Sequence, residues 1–250
     1  MTETDRFARL ELLLGQASLA RLAGRSVAVF GLGGVGSYAV EALVRGGIAR
    51  LTLIDFDCVD ITNCNRQIHA LETTIGQPKA LVMAERCRAI NPDVAVEPLQ
   101  AFYHQDNAAE LLDRGYDYVL DCIDQITAKL HLIEQCVRRG LPIIASMGAA
   151  NKIDPTQVRV ADLAATRKCR LARVIRRELR RREINSGVKT VYSTETFRPL
   201  TAGRSLSASS DEANYQSRRA PLGSSSVIPP LFGLFMAGEV IRDLLQEAHK

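Results

Sequence analysis

Apolar positions along the chain fall into short β-branched runs separated by longer stretches with helical spacing. Val27-Ala28-Val29-Phe30 has the length and composition of a buried strand, and Arg50 to Asp55 predicts a second. Val94 to Leu99, Tyr116 to Asp121 and Pro142 to Ala145 read the same way. Phe7 to Leu22 predicts one helix, carrying Leu10, Leu13, Leu14 and Leu19 and stopped by Gly24. Val35 to Val44 predicts the next, closed by Gly46-Gly47. Lys79 to Ile90 follows Pro78, a residue suited to a helix start. Asp106 to Leu112 and Thr127 to Arg139 complete the set. Strands alternating with helices predict an α/β fold, a mostly parallel sheet with helices on both faces.

The alternation weakens after Ala150. Gln157 to Val160 and Val188 to Ser193 read as strands, and Asp162 to Glu183 as one long basic helix. Phe197 to Ser226 is rich in Ser, Arg and Gly and reads as a mobile crossover loop. Leu231 to Ala248 predicts a closing helix. The chain therefore divides into residues 1–150 and a smaller strand/helix extension over 151–250.

Composition changes this picture little. The 250 residues are 46% hydrophobic and 24% charged, as in an ordinary soluble domain, and the net charge of +4 alone does not imply nucleic acid. None of the six cysteines forms a C-x-x-C pair, which argues against a zinc staple and fits a reduced, cytoplasmic protein. The N-terminal residues lack an apolar signal core. The apolar stretch Val227 to Val240 is too short and too interrupted for a membrane span.

The chemistry begins at Gly31-Leu32-Gly33-Gly34-Val35-Gly36-Ser37, between the first strand and its helix. Gly31, Gly33 and Gly36 match G-x-G-x-x-G; with Gly34 and Ser37 they form a turn whose backbone can approach a phosphate at the positive end of a helix. Asp55 ends the second strand, where a carboxylate can accept from ribose hydroxyls, and Asp57 stands beside it. A nicotinamide cofactor is the default occupant of such a turn. The next segment points elsewhere: Asn63, Arg66, Gln67 and Lys79 supply two cations and several amides, which hydride transfer does not need and a triphosphate does. Asp121 and Asp124 follow a buried strand at the ligand-binding edge of the sheet. Magnesium prefers one or two carboxylates with phosphate and water, so Asp124 is a candidate ligand and Asp121 a helper.

These motifs, in the order Gly-Leu-Gly-Gly-Val-Gly-Ser, Asp-Phe-Asp-x-Val, Asn-x-Asn-Arg-Gln, Gly-Gln-Pro-Lys and Asp-Cys-Ile-Asp, resemble the adenylating domain of ubiquitin-activating-enzyme-like proteins. The resemblance covers about Arg6 to Ala150 and implies a Rossmann-like domain that binds MgATP. It makes Asp55 the ribose ligand, Asn63, Arg66 and Lys79 phosphate ligands, and Asp124 the magnesium-linked carboxylate. Arg6-Phe7-Ala8-Arg9 resembles the family's Arg-Tyr-x-Arg, which implies that Arg9 reaches the ATP of a partner subunit in a homodimer.

In the second half, Ile153-Asp154-Pro155-Thr156-Gln157, Val160-x-Asp162-Leu163-Ala164-x-Thr166 and Tyr192-Ser193-Thr194-Glu195 resemble the tRNA threonylcarbamoyladenosine dehydratases. So does Gly223-Ser224 leading to Pro229-Pro230. That branch implies ATP-dependent activation of the threonyl carboxylate of a modified adenosine, followed by ring closure that expels AMP. The basic run Arg167 to Arg182 suits an RNA substrate: Leu171, Val174, Ile175 and Leu179 make one apolar stripe, and Arg170, Arg173, Arg176, Arg177, Arg180 and Arg181 offer a footprint for phosphates. Cys169 lies among these arginines, with a structural role favoured for it. The main alternative is an adenylyltransferase acting on the Gly-Gly tail of a sulfur-carrier protein. A nicotinamide oxidoreductase and a non-enzymatic nucleotide-binding module are further rivals. A sulfur-transfer protein remains open as an additional partner.

Overall fold

The computed structural model describes residues 5–199 and 222–246. Among them seven strands are formed: β1 (Ser26–Phe30), β2 (Arg50–Ile54), β3 (Ala95–Leu99), β4 (Tyr118–Asp121), β5 (Ile143–Ser146), β6 (Val158–Asp162) and β7 (Lys189–Ser193). They make one sheet in the order β3-β2-β1-β4-β5-β7-β6. Every pairing is parallel except that of β6 with β7. The helices are α1 (Ala8–Leu14), α2 (Gln16–Ala23), α3 (Gly36–Arg45), α4 (Lys79–Ile90), α5 (Ala108–Leu112), α6 (Ile126–Arg138), α7 (Arg170–Arg180) and α8 (Ile228–Gln246).

The period-two alternation of β1 explains the three layers. Val27 and Val29 face a core that includes Leu43 of α3, Met83 of α4, and Phe232 and Met236 of α8. Ala28 and Phe30 face the opposite core, with Leu112 of α5, Ile133 of α6 and Ile175 of α7. Full burial of each such large side chain contributes about 1.5–3 kcal/mol, and both faces of β1 share in it. The expected mostly parallel α/β sheet is the fold observed.

The sheet does not break at residue 150. β7 pairs directly with β5, β6 pairs with β7, and α8 packs chiefly on α3. A Cβ at Gly233 of α8 would stand 2.2 Å from the Val35 carbonyl oxygen, so the two helices touch backbone to backbone.

Three expected elements are revised. The single helix Phe7 to Leu22 is two, because Gly15 takes φ +80° and ends α1. The segment expected as helix Asp106 to Leu112 opens with a 3-10 turn over Gln105–Asn107 before α5. The long basic helix Asp162 to Glu183 is only α7 at its core. Upstream, the Asp162 carboxylate accepts from Ala164 N at 2.7 Å and Thr166 Oγ1 donates to Leu163 O at 2.7 Å. These local bonds compete with helix formation. Lys168 then takes φ +64°, and the helix restarts with Cys169 as its N-cap, Sγ accepting from Ala172 N at 3.5 Å. Most of the loop expected over Phe197 to Ser226 lies outside the described residues.

Candidate active site

The strand order reverses direction between β1 and β4, the position where open α/β sheets bind ligands beyond the carboxyl ends of their strands. Register brings three ends together there. Gly31 N donates to Ile54 O at 2.8 Å, and Cys122 N donates to Phe30 O at 2.8 Å. The glycine turn, Asp55 and the Asp121–Asp124 loop thus share one edge.

The glycines of the turn have different tasks. A Cβ at Gly36 would lie 1.8 Å from the Gly31 carbonyl oxygen, and one at Gly31 would meet the Cys122 backbone at 2.9 Å. One at Gly34 would meet Pro229 at 2.9 Å. These three let protein pack on protein. At Gly33 the nearest atom would be Gln67 Nε2, 4.0 Å away, so Gly33 alone presents open backbone. Ser37 is buried, and its Oγ accepts from Ile68 N at 3.4 Å, tying the turn to the Asn63–Ile68 segment.

Asp55 is buried, with Oδ2 accepting from Leu32 N at 2.6 Å and Oδ1 from Asp57 N at 2.8 Å. Burial pushes its carboxyl above the usual range, against the pull of nearby Lys79. Lys79 starts α4 behind Pro78, held there by Lys79 N donating to Asp57 O at 3.0 Å. Its Nζ pairs with Asp57 Oδ2 at 2.9 Å. Asn63 is buried and accepts from Asp60 N at 3.2 Å. Gln67 is also buried, and its Oε1 has no partner within the protein. Arg66 is half-buried, and desolvation lowers its guanidinium pKa. Its Nη1 donates to Thr62 O at 2.8 Å and to Asn65 Oδ1 at 2.9 Å.

Asp121 and Asp124 part company. Asp124 is exposed at the mouth. Asp121 is fully buried, its Oδ2 2.6 Å from Lys129 Nζ and its Oδ1 accepting from Ile123 N at 3.1 Å. Burial pushes the Asp121 carboxyl up while Lys129 pulls it down. The expectation that Asp121 touches the cofactor is corrected accordingly: its oxygens hold Lys129 and the loop that carries Asp124. Lys129 escaped notice in the sequence, although a lysine on the apolar face of α6, beside Leu130 and Ile133, is itself a signal.

Arg9 is exposed on α1, next to Leu12 and Leu13, which are 83% and 77% exposed. On α7 the buried side chains are Ala172, Ile175 and Leu179, with Leu171 and Val174 half-buried. Arg170, Arg173, Arg177, Arg180 and Arg181 are exposed. Arg176 turns inward, donating to Thr166 O and Thr166 Oγ1 at 2.7 Å. Arg177 and Arg181 share Glu178 at 3.0 and 3.1 Å. Arg167, Lys168, Cys169, Arg170, Arg173 and Arg176 line a recess of about 320 Å³ at the start of α7.

A model of the ThiF family matches residues 5–250. The chain belongs to the ThiF family. Within the family it is 43% identical over 241 residues to the tRNA threonylcarbamoyladenosine dehydratase of Bacillus subtilis, covering 96% of this chain and 95% of that one. It is also similar to the crystal structure of the Escherichia coli tRNA N6-threonylcarbamoyladenosine dehydratase in complex with ATP, with a TM-score of 0.85, 37% identity and coverage of 98% and 95%. A more distant family member, the sulfur carrier protein adenylyltransferase of Thermus thermophilus, is 34% identical over 154 residues, 61% of this chain and 56% of that one. Among the described residues no helix is long and apolar enough to cross a membrane.

Proposed function

We propose that this ThiF-family chain is an ATP-dependent tRNA threonylcarbamoyladenosine dehydratase. The observation that carries the reading is the polar set gathered at the switch point, in a chain whose near-full-length relatives bear that name. Residues 1–150 hold the nucleotide and residues 151–250 receive the substrate.

Asp55 accepts from the ribose hydroxyls, and Gln67 Oε1, unpaired within the protein, takes a donor from the same ligand. Gly33 presents its backbone to phosphate. Lys79 exchanges part of its bond to Asp57 for phosphate oxygen, while Asn63 and Arg66 steady the departing pyrophosphate. A carboxylate oxygen of the substrate attacks the α-phosphorus, the bond to pyrophosphate breaks, and an acyl adenylate forms. A nucleophile within the same substrate then attacks the activated carbonyl, AMP leaves with the former carboxylate oxygen, and the ring closes. The net change is the loss of water, coupled to cleavage of ATP to AMP and pyrophosphate.

The donor set fits a magnesium ion carried on the nucleotide. Magnesium needs few protein oxygens when phosphates and water fill its shell, and Asp124 supplies a carboxylate at the exposed mouth. Among the described residues no three His, Cys, Asp or Glu side chains converge to hold a metal by themselves. Bound there, the ion neutralises phosphate charge.

The exposed arginines of α7 and the recess at its start take tRNA phosphates. Arg9 and the exposed Leu12 and Leu13 face a second copy of the chain in a homodimer. The reaction takes place in the cytoplasm, where ATP and tRNA are found together.

Incubation with MgATP and tRNA bearing threonylcarbamoyladenosine, followed by nucleoside mass analysis, tests the reading. The expected product is lighter by one water and accompanied by AMP. Unchanged nucleoside with intact ATP overturns it, and pyrophosphate–ATP exchange that requires a Gly-Gly carrier protein favours the sulfur-carrier alternative.

A further inference from the structure

Asn151 makes four hydrogen bonds to two distant segments. Arg198 N donates to its carbonyl at 3.1 Å, and its Nδ2 donates to Arg198 O at 2.8 Å. Its own N donates to Gly223 O at 2.8 Å, and Gly223 N donates to its Oδ1 at 2.8 Å. The residue is buried and sits at φ +57°, a left-handed conformation that asparagine tolerates better than most residues. One side chain thus fixes residues 198 and 223 to each other, just past the end of β5.

The chain of contacts continues in both directions. Toward the glycine turn, Asn65 Nδ2 donates to Ser224 O at 3.0 Å, and the same Asn65 accepts from Arg66 Nη1 at 2.9 Å. Toward α7, the Arg170 guanidinium lies 4.9 Å from the centre of the Phe197 ring, next to Arg198. An unbroken series therefore runs from an exposed arginine of α7, through Phe197–Arg198, Asn151, Gly223–Ser224 and Asn65, to Arg66.

We propose that Asn151 and Asn65 are positioning residues for Arg66, and that this series ties contact with the substrate at α7 to the arginine that meets the departing pyrophosphate. The proposal rests on the reading of Arg66 given above. The Arg66 side chain is long and loses rotamer entropy when fixed. Asn65 and Thr62 O fix its Nη1, and Ser224 fixes Asn65. Asn151 in turn sets where Gly223 and Ser224 lie. A misplaced charged donor loses most of its value in a transition state while ground-state binding changes little.

The test is AMP formation on threonylcarbamoyladenosine-bearing tRNA, at varied ATP, by a set of single and double variants. Asn151→Gly keeps the left-handed backbone and removes only the amide. Asn65→Ala acts on an exposed residue and leaves the core untouched. Arg66→Lys keeps a cation while breaking the bond to Asn65, so that a residual rate remains measurable.

Each asparagine variant is expected to lower kcat about tenfold with KM for ATP within about twofold, the mark of an interaction realised in the transition state. Combined with Arg66→Lys, neither should cost anything further, because residues acting as a unit are not additive. Additive losses in the double variants, or wild-type kcat in both single asparagine variants, overturn the proposal while leaving the reading of Arg66 in place. Wild-type kcat in both Arg66→Lys and Arg66→Ala removes the reading of Arg66 and the proposal with it.

Discussion

Two lysine–aspartate pairs stand at the same edge of the sheet and differ in almost every other respect. Lys79 and Asp57 meet at 2.9 Å, with the Asp57 side chain 29% exposed. Lys129 and Asp121 meet at 2.6 Å with both side chains at 0% exposure. A ligand entering the mouth can reach the first pair and take over one of its partners. No ligand reaches the second, whose charges must satisfy each other. The first suits chemistry, where a cation has to change partners, and the second holds the floor beneath Asp124 in place. Both pairs look alike in the sequence, as a lysine some distance from an aspartate.

Lys129→Met should sharpen the contrast most, because it leaves a buried carboxylate without its partner. Removing one member of a buried pair costs about 3–5 kcal/mol. Urea unfolding is expected to show a loss of that size, and Lys129→Met combined with Asp121→Leu should recover most of it. A midpoint unchanged in the single variant would show that the inner pair does not hold the floor.

Lys79→Ala should act on rate instead. AMP formation is expected to fall by about 10²–10³-fold, as when one preorganised donor to a transition state is lost. Its unfolding midpoint should move less than that of Lys129→Met. A fall in stability without a fall in rate would make the two pairs equivalent.

The outer pair also has a buried neighbour. His69 is 1% exposed, neither ring nitrogen has a partner within the protein, and burial, followed by the charges of Lys79 and Arg86, pushes its pKa down to about 4. Its ordinary value is 6.5, so between pH 6.5 and about 4 the unfolded chain binds a proton that the folded chain refuses. Stability from this residue is complete above that window and falls as pH drops through it, by at most about 3 kcal/mol. Stability measured at pH 4.5 and 7.5 should fall less in His69→Gln than in wild type. Equal pH dependence in the two proteins would remove His69 from the account.

The same division between inner and outer charge runs along α7. Arg176 holds Thr166, whereas Arg173, Arg177 and Arg180 face solvent. Reversing those three charges should weaken tRNA binding about tenfold or more at physiological salt and flatten its salt dependence. ATP affinity should stay unchanged. Arg176→Ala should instead lower stability, since it removes bonds to Leu163 and Thr166.

The parallel sheet was legible because β1, β2 and β4 are short apolar runs buried on both faces, which few other structures can accommodate. The glycine turn was legible as a turn, but not the division of labour within it. That Gly33 is open while Gly31, Gly34 and Gly36 pack against protein depends on Cys122 and Pro229, distant in sequence. Asp55 and Asp57 announced themselves by their place at a strand end. Asp124 and Asp121 stood apart as candidate ligand and helper, but the partner of Asp121 was not legible, because only α6 folding back brings Lys129 to it. The basic helix is shorter than its arginine run suggests, because the short bonds of Asp162 and Thr166 that stop it carry little compositional weight. Asn151 gave no sign at all, since its partners lie 47 and 72 residues further along.

The packing of α8 against the glycine turn has a consequence for the order of synthesis. Pro229 closes on Gly34, and Gly233 rests on the backbone at Val35, the residue that leads into α3. A nascent chain emerging from the ribosome carries its glycine turn almost from the outset, but lacks the wall that shapes it until some two hundred residues later. The turn takes its packed shape only when that final helix docks.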